Sequence, residues 1–283
     1  MAMEQFQTKE ELQQRINTLK KEGNSIGFVP TMGALHEGHL SLINCSNEGN
    51  DITVVSIFVN PTQFNQREDY EKYPRNIQED LHKLQDAGCE IAFIPEESEM
   101  YPEEDTRDFD FGYLQEVLEG YHRPGHFNGV AQIVSKLFDA VRPHRAYFGE
   151  KDFQQLAIIR KLVEQLNMDI DVIGCPIIRE KDGLAMSSRN QRLNSTEREV
   201  ATSISKILFD SVNMAEEMNV EEVKNWVINQ LNKNPHIDVE YFEIVQEKTF
   251  QPIKKWEEQA EMRGCIAAWV GDVRLIDNVK YYF

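Results

Sequence analysis

No stretch of this chain approaches the roughly 20 apolar residues a membrane helix needs. Residues 1–11 are polar and carry no apolar core of a secretory signal. Cysteine is sparse: Cys45, Cys89, Cys175 and Cys265 lie far apart with no Cys-x-x-Cys spacing. That spacing argues against a structural zinc site or a dithiol redox motif. Small or apolar neighbours fit buried thiols in a reducing compartment. Positive charge is also short, with 30 Lys and Arg against 48 Asp and Glu and a net charge of −18. Such a chain is a poor general polyanion binder, so nucleic acid is not an expected partner. Neither a low-complexity linker nor an internal repeat interrupts it. A soluble, cytoplasmic protein with no membrane partner is expected.

What is present is length and alternation. A chain of 283 residues can form two domains and a sizeable core without disulfide or metal staples. Apolar β-rich runs at residues 26–29, 53–59, 91–94, 145–148 and 170–175 alternate with helical patterns at 40–47, 77–87, 130–141 and 154–166. That order predicts an α/β fold, a Rossmann-like parallel sheet with helices on both faces. Ligands of such sheets bind beyond the C-terminal strand ends, at a topological switch. After Cys175 the pattern changes. Asn194, three before Glu197, is a capping signal for a helix over 196–217, followed by a shorter one near 220–232. Alternating runs at 237–245 and 265–270, with a short run at 273–276, predict an antiparallel sheet. The expected division is a Rossmann-like nucleotide-binding domain over 1–175 and a smaller α+β C-terminal domain over 176–283.

The most informative string is Pro30-Thr31-Met32-Gly33-Ala34-Leu35-His36-Glu37-Gly38-His39-Leu40. It follows the first apolar run and leads into a helix beginning near Gly38. Strand, glycine-containing turn and helix start form a phosphate-binding arrangement, with backbone N–H groups and the positive dipole end facing an anion. His36 and His39, three apart, share a helical face, so both imidazoles can reach a triphosphate.

Four more segments carry chemistry. Asn60-Pro61-Thr62-Gln63-Phe64 offers amides suited to a substrate with hydroxyls and a carboxylate, although Asn-Pro alone marks a turn. Arg123-Pro124-Gly125-His126-Phe127 is basic within an acidic chain. In the stretch from Phe148 to Gln155, Gly149 permits close backbone approach. Lys151 there supplies a compact positive charge, and Asp152 can cap the next helix or accept from a ribose hydroxyl. From Asp182 to Asn190, a turn signal precedes Ser187, Ser188 and Arg189, a flexible phosphate clamp.

The string His36-Glu37-Gly38-His39 resembles the His-x-Gly-His signature of the nucleotidyltransferase superfamily. Met186-Ser187-Ser188-Arg189 resembles its second signature, of Lys-Met-Ser-Lys-Ser type. The full set of segments, in order over nearly the whole chain, most resembles the pantothenate synthetase (pantoate–β-alanine ligase) family. That resemblance implies an AMP-forming acid–amino-acid ligase of vitamin B5 and coenzyme A biosynthesis. The carboxylate of (R)-pantoate attacks the α-phosphorus of ATP and releases pyrophosphate. The amine of β-alanine then attacks the pantoyl adenylate and releases AMP and pantothenate.

The resemblance also implies residue roles. ATP contacts fall at Met32, Gly33, Ala34, Leu35, His36, Glu37, Gly38 and His39, at Gly149, Glu150, Lys151 and Asp152, and at Ile178, Met186, Ser187, Ser188 and Arg189. Ile178 meets the adenine where many relatives carry valine. The substrate acid and amine fall to Gln63, Gln155, Asn60, Met32 and Arg123, with His126 near the mouth. His39 is the expected main acid donor to the departing phosphate, or stabilises it by hydrogen bonding without net proton transfer, with His36, Lys151, Ser187 and Arg189 as further catalytic groups. Mg2+ is expected on the phosphates with few protein ligands, and no residue is assigned to it. Residues 1–175 then bind pantoate as well as nucleotide, and residues 176–283, with the 181–190 loop, form a lid over the hydrolysis-prone adenylate. A homodimer through the N-terminal domain is implied. A sister nucleotidyltransferase would keep His36 and His39 but is not expected to show the amides of both the Asn60 segment and Gln154-Gln155. A nucleotide sensor with a dead site is opposed by intact Lys151, His39 and Arg189.

Overall fold

The computed structural model describes residues 3–64, 67–256 and 260–282. Its elements run β1 (Glu4–Phe6), α1 (Lys9–Lys21), β2 (Ile26–Thr31), α2 (Glu37–Gly49), β3 (Ile52–Ile57), α3 (Arg67–Glu71), α4 (Ile77–Asp86), β4 (Ile91–Phe93) and α5 (Glu97–Met100). They continue with α6 (Glu119–His122), α7 (His126–Val141), β5 (Arg145–Gly149), α8 (Phe153–Gln165), β6 (Asp171–Cys175), α9 (Ser195–Met214), α10 (Val220–Leu231), β7 (Ile237–Gln246), β8 (Met262–Val270) and β9 (Val273–Tyr281). The chain divides into two compact units. One is Met1–Gln115 with Glu119–Pro176, and the other is Glu116–Leu118 with Ile177–Phe283.

The first unit is built on a six-stranded sheet in the order β1-β4-β3-β2-β5-β6, with every pairing parallel. Its strands are short and apolar on both faces because both faces are covered. Phe28, Val54 and Phe148 join one core with Leu12 and Ile16 of α1, Phe138 of α7 and Ile159 of α8. Val29, Val55 and Tyr147 point to the other, with Ile43 of α2 and Leu84 of α4. The alternation within each strand thus sorts side chains between two helix layers. From β2 the sheet grows through β3 and β4 on one side and through β5 and β6 on the other. The β2–β5 pair is therefore the topological switch, where a ligand crevice opens beyond the strand ends.

Five elements of this unit were absent from the sequence expectation: β1, α1 and the short helices α3, α5 and α6. β1 has only three residues, and an outer edge position in register with β4 tolerates its polar composition. α1 carried its own signals: Thr8 caps it by accepting from the Glu11 N–H at 3.4 Å, and Leu12, Ile16 and Leu19 form its buried stripe.

The second unit holds the antiparallel sheet β7-β8-β9, backed by buried residues of α9 and α10 such as Ile204, Leu208, Val223 and Val227. The expected cap of α9 is a reciprocal capping box between Asn194 and Glu197. β9 continues to Tyr281, past the apolar run at 273–276, because its pairing with β8 runs as far as Met262 against Tyr281.

One contact fixes the loop after β3. α7 passes so close to the turn at Pro61–Gln63 that a Cβ on Gly129 would lie 2.4 Å from the Thr62 carbonyl oxygen. Backbone meets backbone there, so neither side can yield without moving an element. Gly129→Ala is expected to destabilise the protein by about 1–3 kcal/mol, read by urea unfolding. Wild-type stability in that variant would show that the turn is free to shift.

Candidate active site

The turn after β2 is set by two left-handed residues, Gly33 (φ 79°) and Ala34 (φ 49°). Consecutive peptide N–H groups in such a turn converge into an anion-binding nest. Here the chain supplies the anion. The Asp80 carboxylate of α4, 2% exposed, accepts from the Ala34 N–H at 2.9 Å and the Leu35 N–H at 2.7 Å. Lys83, one turn further along α4, donates to the Leu35 carbonyl at 2.8 Å, and its ammonium pairs with Glu79 at 2.6 Å. Gly33 has no room for a side chain, because a Cβ would meet Asp80 Oδ2 at 2.8 Å. Leu35 turns its side chain into the core. The backbone cradle expected for a phosphate is thus corrected at these two positions: their N–H groups already hold a buried carboxylate.

The start of α2 is satisfied in the same inward way. His36 is the N-cap, and its Nδ1 accepts from the Gly38 N–H at 3.2 Å. His39 Nδ1 accepts from the His36 N–H at 3.3 Å. The two imidazoles thereby form a reciprocal capping box, a role the sequence suggests only for carboxylate or amide side chains. Their rings lie 4.1 Å apart. An accepting Nδ1 carries no proton, so in each ring the hydrogen sits on Nε2. The pair therefore presents N–H donors rather than a bare helix end.

Burial, the neighbouring His36 and the charges of Lys151 and Lys83 hold the His39 pKa well below its ordinary value of 6.5. Protonation at Nδ1 would also break the cap. At pH 7 these contacts favour the neutral imidazole, whose Nε2–H fits the hydrogen-bonding role among the two open to His39.

The segments after β3 and β5 arrive at the same sheet edge. Gln63 donates from Nε2 to Met32 Sδ at 2.8 Å and accepts from Asn60 at 3.2 Å. Asn60, 1% exposed, also donates to the Gly129 carbonyl at 3.1 Å and accepts from the Tyr101 hydroxyl at 2.7 Å and from Thr62 at 3.2 Å. Its amide is occupied by protein on every side, and what it does in this structure is orient Gln63. His126, at the start of α7, lies 2.8 Å through Nδ1 from the Gln63 carbonyl. A carbonyl only accepts, so this ring carries its hydrogen on Nδ1. Arg123 Nη2 is 3.5 Å from the same carbonyl, and its Nη1 is 3.5 Å from Glu119.

After β5, residues Glu150–Asp152 form a single 3-10 turn. Asp152 stands at the N-cap position of α8 without capping it, leaving an exposed carboxylate at the helix start. Lys151 acts electrostatically on His39, which places the two in one site. Gln154 and Gln155 part company. Gln154 is buried, accepts from the Glu119 N–H at 2.9 Å and donates to the Leu114 carbonyl at 2.6 Å. Gln155 is half-buried, and its side-chain amide makes no hydrogen bond to a described residue.

In the second unit, residues 178–186 form a small hairpin. Arg179 bridges Ala185, the Met186 N–H donates to the Ile178 carbonyl at 3.0 Å, and Gly183 closes the turn by donating to the Glu180 carbonyl at 2.8 Å. Ile178 and Met186 are therefore cross-strand neighbours. Ser187 caps the following 3-10 turn, Ser188–Arg192, by accepting from the Arg189 N–H. The hairpin is anchored to β9 by a bidentate pair, Arg179 to Asp277 at 2.6 and 2.9 Å.

Sequence reasoning missed Asp80, Lys83, Tyr101 and the Arg179–Asp277 anchor. A weak signal for Asp80 existed: it lies four before Leu84, and both are the buried residues of α4, so a carboxylate stands where that face would be apolar.

A parallel sheet whose switch-point helix is headed by two imidazoles, with a lysine at the neighbouring strand end, is an arrangement suited to a ligand carrying phosphate, as in nucleotide-using enzymes. Comparison with known proteins narrows the class. The family described as pantoate-beta-alanine ligase matches residues 4–280, and the chain belongs to that family. It is 53% identical over 279 residues to a pantothenate synthetase of Bacteroides fragilis, spanning 99% of each chain. It is also 53% identical over 279 residues to a pantothenate synthetase of Porphyromonas gingivalis, again spanning 99% of each. The crystal structure of pantothenate synthetase from Thermus thermophilus superposes with a TM-score of 0.92 at 41% identity, covering 99% of this chain and 100% of that one. A Francisella tularensis pantoate-beta-alanine ligase, complexed with beta-gamma ATP and beta-alanine, superposes with a TM-score of 0.83 at 37% identity, covering 98% and 97%.

The neutral state of His39 has a consequence for stability. Its folded pKa lies below its unfolded value, so between the two the unfolded chain binds the extra proton and stability rises with pH. The His39 contribution is full above pH 6.5 and is lost as pH falls through the folded pKa. Urea unfolding of the wild type should weaken more steeply below that pH than unfolding of His39→Gln. Parallel curves would mean the imidazole charges normally.

Proposed function

We propose that this chain condenses (R)-pantoate with β-alanine at the cost of ATP, forming pantothenate, AMP and pyrophosphate through pantoyl adenylate. The observation that carries this reading is the pairing, at one sheet edge, of an imidazole-headed helix with Gln63, Met32 and Gln155. The first suits a triphosphate, and the others suit a small hydroxy acid. Family membership supplies the substrates' names.

In the first step a carboxylate oxygen of pantoate bonds to the α-phosphorus and the bond to the β-phosphate oxygen breaks. Two anions must meet, so the site has to neutralise charge and hold the line of attack. Lys151 supplies a positive charge, and His36 and His39 offer Nε2–H donors with fixed tautomers. Pyrophosphate leaves as a stable anion, so a neutral His39 stabilises it by hydrogen bonding without giving up a proton. Ser187, Ser188 and Arg189 keep the nucleotide contacts that the resemblance implies, as do Ile178 and Met186 for the base. The ATP residues at 32–39 and 149–152 belong to the same reading, with Ala34 and Leu35 acting through the turn they build.

In the second step the neutral amine of β-alanine attacks the acyl carbon. The acyl–phosphate bond breaks, AMP departs, and the amine loses a proton. Neither step requires a covalent enzyme intermediate. Mg2+ enters with the triphosphate as part of the substrate, keeping most of its waters. Assembly as a homodimer and a cytoplasmic setting complete the reading. The second is supported by four free thiols, three of them buried, and among the described residues no helix is long and apolar enough to cross a membrane.

AMP release from ATP, Mg2+ and pantoate, with and without β-alanine, tests this directly. AMP and pyrophosphate appearing together, only when both acid and amine are present, is the expected result. ADP would instead mean an acyl-phosphate route, and tight ATP binding without turnover would mean a sensor. Lys151→Ala should lose roughly 10²–10³ in adenylation rate, as expected for one preorganised donor. Near wild-type single-turnover adenylation in that variant would remove Lys151 from the mechanism.

A further inference from the structure

We propose that Asp80 and Lys83 of α4 are positioning residues for the ligase reaction, holding the 33–35 turn so that His36 and His39 present their Nε2–H groups in one fixed geometry. The inference rests on the ligase reading and adds residues that touch neither substrate.

The chain of contacts is short. Ala34 stands at φ 49°, a left-handed conformation that non-glycine residues rarely adopt and that persists only where its surroundings impose it. The two hydrogen bonds that Asp80 accepts from the Ala34 and Leu35 N–H groups impose it on one side of the turn. The bond from Lys83 to the Leu35 carbonyl fixes the other. His36 is the next residue, and its own N–H is the donor that sets the His39 tautomer. A turn that relaxes rotates the 35–36 peptide and that N–H with it. His39 then loses the acceptor role of Nδ1, and its ring is free to flip or change tautomer. Asp80 itself is buried beneath the turn at 2% exposure, facing the backbone of 33–35. Its effect on a nucleotide is therefore transmitted through the two histidines.

The test uses full-length protein and three variants: Asp80→Asn, Asp80→Ala and Lys83→Met. Asparagine keeps the shape but sets an amide N–H2 against one of the two backbone N–H groups. Lys83 is a third exposed, so its replacement is compatible with a folded chain. In the free protein, the ¹⁵N shifts of the His39 ring report the tautomer directly, and no substrate is needed. In turnover, kcat and KM for ATP are measured with pantoate and β-alanine present. The expected result for Asp80→Asn is loss of the single Nε2–H tautomer and a fall in kcat of ~10–100-fold, with KM for ATP within a few-fold of wild type. Lys83→Met should shift in the same sense by a smaller factor.

A folded Asp80→Asn protein with a wild-type ring signature and wild-type kcat would overturn the proposal and leave Asp80 as a purely structural anchor. If both Asp80 variants fail to fold, Lys83→Met decides: an unchanged tautomer and kcat there overturn the proposal equally. Failure of the ligase reading looks different. Wild-type protein would make no AMP from pantoate and ATP, while the ring signatures would still tell whether α4 sets the geometry of the histidines.

Discussion

A buried carboxylate beneath a left-handed turn is the interaction on which the first unit's chemistry rests. The chain must leave the end of β2, reverse and begin a helix within a few residues. The peptide N–H groups that converge in such a turn need an acceptor, and water is excluded at Ala34 and Leu35. Asp80 meets that need from the neighbouring helix. The same contact ties α4 to the switch point, so packing of the helix layer and geometry of the site are one problem. Gly33 is obligatory for a reason sequence could not state: a side chain there would collide with the carboxylate that stabilises the turn.

The histidines follow from that arrangement. A helix N-terminus attracts anions through unsatisfied N–H groups and its dipole. In this protein part of that hunger is met by imidazole Nδ1 atoms. The result converts backbone donors, which are fixed to the helix axis, into side-chain donors projecting from it. Keeping its cap favours the neutral ring of His39, as do burial, the neighbouring His36 and the Lys151 and Lys83 charges. A neutral imidazole at a helix start acts as an electrophilic hydrogen-bond donor, not as a cation. Positive charge at the site is left to lysine, whose affinity for protons is far higher.

Amide groups show a similar division between reach and support. Asn60 and Gln154 look in sequence like Gln63 and Gln155. Tertiary contacts separate them: Asn60 and Gln154 are buried and fully engaged with loops, one against α7 and Tyr101, the other against residues 114–119. Gln63 and Gln155 stay half-buried. In the second unit, Arg179 and Asp277 play the supporting part for the hairpin that carries Ile178 and Met186. In both units a residue distant in sequence holds the segment that the motif marks.

Sequence by itself determined the layer architecture. Runs of apolar residues alternating with helical periods can bury their surface only as a covered parallel sheet, and the later alternating runs only as a half-covered antiparallel one. It also marked the candidate segments for chemistry, because glycine turns, paired histidines and a lysine at strand ends are local patterns. Short polar β1 escaped because three edge residues leave no periodic signal. Only the tertiary structure decided which groups in those segments are donors, which are props, and which helix supplies the counter-ion. The protonation state of His39, the internal filling of the Ala34–Leu35 nest and the commitment of Asn60 all depend on partners 3 to 69 residues away. Hydrogen-bond satisfaction is a property of enclosed space, and a linear pattern records periodicity but not what encloses each group.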